Sequence, residues 1–226
     1  MKIRYSVAVC ALLLAPSASH AQVKIESAPP EISLLNMFVR KWSAASPLGE
    51  LRTRIIDDQD IEVRAWGGFG LTGTGATILR RTAGRWQAWR AIRHKCLLEV
   101  PVVGADTLTD EEIARYKVQA RAQCDAPRPR LDASRTIIAD TLAIVPVSVD
   151  AASIENAWKK AVDAGLLSLP GSPASKRMML DGFTYVIELR IGRTYRAMEF
   201  QHIQPPENET DAQIQRVFAA LTHLTP

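Results

Sequence analysis

Two stretches of this chain read as strands that return around a glycine turn, and the later one, where apolar and polar residues alternate, restricts the fold more than any other feature. Phe183, Tyr185, Ile187 and Leu189 alternate with Thr184, Val186, Glu188 and Arg190. A period of two belongs to a strand with one buried face. A turn at Ile191-Gly192-Arg193 returns the chain as a second strand, from Tyr195 to His202, which Pro205-Pro206 ends. With a three-residue turn, Glu188 stands opposite Arg196, and Tyr195 and Ala197 share the face of Tyr185 and Ile187. A slip of one residue would mix the two faces. The earlier instance runs over residues 76–82, turns at Ala83-Gly84 and returns over residues 85–93.

Helical patterns lie between the hairpins. Ile32, Leu35, Phe38, Val39 and Trp42 recur at helical spacing and predict a helix over 31–43. Thr109 and Glu112 form a capping box that opens a helix to about Gln123. Asp150 caps a helix carrying Ile154, Trp158, Ala161 and Val162, stopped by Gly165 and Pro170. Thr210 and Gln213 form a second box, followed by a stripe of Ile214, Val217, Phe218, Leu221 and Leu224. Strand character also marks 51–56, 60–66, 136–138 and 142–149. Helices and hairpins alternate without a βαβ rhythm, so the expected class is α+β: antiparallel β-hairpins packed with helices. Residues 22–226 are long enough to form a single α+β domain with a real core. Residues 125–134, with Pro127 and Pro129, lack periodicity, and a subdomain break would fall there.

Residues 1–21 read as a removable secretory signal. Lys2 and Arg4 precede a short apolar run over 7–14, and Ser19-His20-Ala21 is a small-residue cleavage site before Gln22. The run is too short to span a bilayer, which takes about 20 residues. The expected location is periplasmic or secreted, with no transmembrane span. Without Lys2 and Arg4 the formal net charge of +4 falls by two, too even a balance for a nucleic-acid binder. Cys96 and Cys124 then form an even pair in an oxidising compartment and read as a disulfide. Such a loop closure stabilises by about 3–4 kcal/mol. Zinc needs four ligands, and His94 is the sole neighbour of the right type, so no metal and no other cofactor is expected.

The remaining motifs are sorted by what their chemistry requires. Gly68-Phe69-Gly70-Leu71-Thr72-Gly73 satisfies a dinucleotide fingerprint in letters. A strand follows it, however, and the fingerprint needs a helix N-terminus to hold the pyrophosphate. It reads as a glycine-rich loop able to border a binding site. His94, His202 and His223 read as surface histidines. Hydrolysis by carboxylates needs two of them near each other. In the register above, Glu188 forms an exposed ion pair with Arg196, and Glu199 points to the other face.

Between Arg80 and Lys95 lie six basic residues and no acid, interleaved with tryptophans. Arg81 falls opposite Trp86, where a guanidinium stacks on an indole. The expected binding surface is therefore Arg80, Arg81, Arg85, Trp86, Trp89, Arg90 and Arg93, and the expected partner is a protein or an anionic envelope polymer. The function expected is an exported, non-enzymatic binding protein of inhibitor, immunity or envelope-accessory type. The alternatives are a carboxylate hydrolase of envelope or cell-wall substrates and a structural envelope component.

Overall fold

The computed structural model describes residues 24–27, 38–68, 74–101, 108–124, 134–170, 184–201 and 206–224. Residues 1–21, read from the sequence as a secretory signal, the 31–37 part of the first expected helix, the 125–133 stretch, Phe183 and His202 lie outside these residues, as do Phe69 to Gly73 of the glycine-rich motif. The elements are β1 (Lys24–Ser27), α1 (Arg40–Ala44), β2 (Ile61–Gly67), β3 (Gly75–Thr82), β4 (Arg85–Pro101), α2 (Asp110–Ala122), β5 (Ser134–Pro146), α3 (Ala151–Asp163), β6 (Thr184–Ile191), β7 (Thr194–Gln201) and α4 (Glu209–Thr222). The strands make one sheet in the order β1-β7-β6-β2-β3-β4-β5. β1 joins β7 in parallel, and every other neighbouring pair is antiparallel. The class is α+β, as the hairpin pattern predicts. Among the described residues no helix is long and apolar enough to cross a membrane.

Both hairpins close with two-residue turns. Ala83 and Gly84 both have positive φ, 48° and 79°, which is what a type I′ turn requires. In the second hairpin Ile191 pairs with Thr194, so Glu188 faces Ala197 and Leu189 faces Arg196. The three-residue turn expected from the sequence is thus corrected by one residue. Gly192 explains the tighter turn: its φ is 50°, and a Cβ there would stand 2.6 Å from the carbonyl oxygen of Asp58. Its amide donates to the carbonyl of Asp60 at 3.0 Å. A glycine lets this turn press flat against the 57–60 turn, where any side chain would collide.

The corrected register redistributes the core. Ile187 and Leu189 share their face with Met198 and Phe200, and this face packs under α3 and α4 with Val63, Leu79, Ile154, Ile214, Val217 and Leu221. Tyr195 and Ala197 lie on the opposite face instead, in a second core with Val39, Trp42, Leu51, Trp66 and Ile78. That second core is roofed by α1 and the irregular chain after it. Residues 51–56 are turn and irregular backbone rather than a strand. Arginines explain this: Arg64 donates to the carbonyls of Gly49 and Leu48, and Arg190 to that of Arg52. These forks satisfy backbone acceptors that a ladder would otherwise have to serve.

The starts of α2 and α3 follow the local signals of the sequence, and that of α4 departs from them. Thr109 and Glu112 form the capping box on α2, and Asp150 caps α3 through the Ser153 amide at 2.7 Å. α4 is capped by Asn208, whose side chain accepts from the Asp211 amide, and not by Thr210. Asparagine is the better N-cap, and it wins by two residues. β5 is continuous where two short strands were expected, because Asp140 at its middle is paired with Arg93 on β4.

Candidate functional site

Strand alternation divides the basic ribbon between the two faces of the sheet. Arg81, Trp86 and Arg90 fall on the side of α3 and α4, and Arg80, Arg85, Trp89 and Arg93 on the other. Trp86 is 7% exposed and anchored in the core beside Trp158, their rings 5.7 Å apart. The Arg81 guanidinium lies 5.8 Å from the Trp86 ring and donates to the carbonyl of Gln59. Arg80 lies over Trp89 at 4.9 Å and donates to Glu62 at 2.7 Å. Arg93 grips both oxygens of Asp140 at 2.9 and 3.0 Å and lies over Trp42. Each of these three cations is held in place.

Arg85 and Arg90 differ from the other five residues of the ribbon. Both are exposed, and neither makes a hydrogen bond or ion pair within the described residues. Arg85 stands at the turn. Arg90 stands at the mouth of a cleft of about 390 Å³, formed where α4 passes over the ends of β2 and β3. Gly67, Gly75 and Thr77 line its floor, Phe218 and Tyr185 one wall, and Ile92 its outer rim. The two wall rings are stacked with centroids 3.9 Å apart. A Cβ on Gly67 would come within 3.0 Å of Phe218 Cζ, so the bare strand end is what allows the ring to lie there. The sequence marked this neighbourhood only as a glycine-rich loop. Tyr185 and Phe218 carried no sign of it beyond an apolar periodicity.

The carboxylates considered for hydrolysis are engaged in structure. Glu188 is 2% exposed, accepting from Trp66 Nε1 at 2.9 Å and from the Tyr195 hydroxyl at 3.0 Å. It is no surface ion pair with Arg196, which donates instead to the carbonyls of Leu167 and Leu169. Burial pushes its carboxyl above the usual range, against the pull of Arg64 and of its two donors. The corrected register also puts Glu199 on the same face as Glu188. The Tyr195 phenol is raised too, by burial first and by the Glu188 charge second.

Glu62 has the opposite balance. Its side chain is fully buried and is shared by Arg64 at 2.8 Å, Arg80 at 2.7 Å and Arg54 at 3.3 Å. Burial alone would raise its pKa, but the three guanidiniums outweigh it and hold the group ionised below the usual range. Asp60 is 8% exposed and accepts from the Ala83 amide, so it braces the ribbon's turn.

Cys96 and Cys124 form the expected disulfide, with Cα atoms 4.7 Å apart. It fastens the end of α2 to the middle of β4, over Ala120 and Ala139. Among the described residues no three His, Cys, Asp or Glu side chains converge to hold a metal ion. Comparison with protein-family models, with curated proteins and with solved structures returns no match.

Proposed function

We propose that this protein is an exported binding protein of the cell envelope, of inhibitor, immunity or accessory type, which recognises a protein or an anionic envelope polymer through the Arg85–Arg90 part of the basic ribbon. The observation that carries this reading is the contrast within the ribbon itself. Arg80, Arg81 and Arg93 are consumed by internal partners, whereas Arg85 at the turn and Arg90 farther along β4 are held out to solvent, on opposite faces of a hairpin that Trp86 and Asp60 brace. A braced hairpin backbone spares the cost of ordering a loop on binding, and guanidiniums without internal partners are available to pair with an anion. The secretory signal over 1–21 and the disulfide support the location.

Two experiments test this. The intact mass of protein from the periplasmic fraction is expected to match residues 22–226 less two hydrogens, and a retained Met1 or two alkylatable thiols would refute export with oxidation. Capture of partners from envelope extract is expected to weaken with Arg85→Glu and further with Arg85→Glu/Arg90→Glu, more steeply at low salt. Arg216→Ala on α4 serves as the control and should change nothing. Unchanged capture by the double variant would remove the ribbon as the binding surface.

A further inference from the structure

The cleft beside Arg90 carries chemistry that a macromolecular partner does not require. We infer that it binds a small organic anion with a flat apolar body, of the aromatic carboxylate or sulfonate class. Size is the first argument: about 390 Å³ lies in the range of small-molecule sites. Shape is the second. Gly67 lets Phe218 approach until a Cβ there would touch the ring at 3.0 Å, and Phe218 and Tyr185 stack into one aromatic wall. Aromatic rings pack on such walls in offset or edge-to-face contact.

Charge is the third argument. Among the described residues the lining contains no Asp or Glu, and its one cation is Arg90, exposed and without a side-chain hydrogen bond or ion pair to them. A guanidinium offers a planar fork that matches a carboxylate or sulfonate and discriminates against a neutral body of the same shape. Ile92, half exposed on the same face two residues along β4, extends the apolar rim beside that fork. The cleft therefore presents one apolar slot and one positive end.

The inference shares Arg90 with the proposed binding ribbon, and Arg85, which is not in the cleft lining, tells the two apart. The mature protein is titrated with anilinonaphthalene sulfonate and, in parallel, with phenylnaphthylamine, which has the same rings and no sulfonate. Saturable binding of the anion is expected, weakened about tenfold or more by Arg90→Gln, since a charge-assisted hydrogen bond is lost. The neutral probe should be indifferent to that change. Ile92→Glu should weaken the anion further by placing a like charge on the rim. Arg85→Glu, which is expected to weaken capture of envelope partners, should leave both probes unaffected. Equal affinity for the two probes, no saturable binding, or an equal loss with Arg85→Glu and Arg90→Gln would each overturn the proposal. If partner capture fails while the probe results hold, the envelope reading falls and the cleft remains.

Discussion

The two faces of this sheet are held by different physics. The face under α3 and α4 is an apolar core, with Ile187, Leu189, Met198 and Phe200 closed by Ile214, Val217 and Leu221. The face under α1 and the irregular 45–56 chain buries Glu62, Arg64, Glu188 and Arg190 beside its apolar residues. On the first face, helices bring their own satisfied backbone and need only apolar contact. On the second, a roof with little regular structure brings unpaired carbonyls, and arginines rising from the sheet serve them. The lesson is that a sheet can be covered by irregular chain when it supplies the hydrogen bonds that the chain lacks.

The sharpest way to break this comparison is Glu62→Gln. It removes the carboxylate that Arg64, Arg80 and Arg54 share and leaves buried positive charge uncompensated, a loss of about 3–5 kcal/mol in denaturant unfolding. A loss below about 1 kcal/mol would mean that the polar face relaxes without its anion. On the apolar face Ile187→Ala is expected to cost about 2–5 kcal/mol by leaving a cavity, with no effect on the pH dependence of stability. Tyr195→Phe should cost about 1.5–3 kcal/mol, because Glu188 loses a donor where no water replaces it.

The pH dependence separates the two buried glutamates of the polar face. Glu62 titrates below its ordinary 4.5 in the folded protein, so its contribution is present above that value and is lost as pH falls further. Glu188 titrates above 4.5, so its contribution is full below that value and is lost as pH rises through the folded pKa. Glu62→Gln should flatten the acid limb of the stability profile, and Glu188→Gln the loss on the rising side. Identical profiles for the two variants would refute the assignment. The smallest effect is expected at Arg85→Glu, within about 0.5 kcal/mol, because that side chain is exposed and free of partners.

Periodicity explains which parts of this were legible in the sequence. The apolar face, the first hairpin, the α2 and α3 caps and the disulfide all follow from local pattern. The polar face does not, because Ile61-Glu62-Val63-Arg64-Ala65-Trp66 is buried throughout, and an alternating charge in such a strand reads as a solvent face. The register of the second hairpin was lost for a related reason: what sets it is the contact of Gly192 with Asp58, a residue more than a hundred positions away. For the candidate site, the ribbon's charges were visible, but not which of them the fold neutralises. That depended on Asp140, Glu62 and the Gln59 carbonyl, none of them near in sequence.

The outer strand β5 shows what the disulfide protects. Val147 donates to the carbonyl of Ala88, so by alternation the even-numbered residues of β5 turn their backbone groups away from the sheet. Among the described residues no strand pairs with the outer side of β5, and such an edge is a template on which another chain can grow. Arg121 of α2 reaches across to the carbonyl of Asp140 at 2.9 Å and occupies the middle of that template. The Cys96–Cys124 bond is the tether that keeps α2, and with it this guard, in place. The cross-link thus has a second consequence beside loop closure: it holds a helix against the outer side of an edge strand, the place where one copy of a chain could otherwise pair with another.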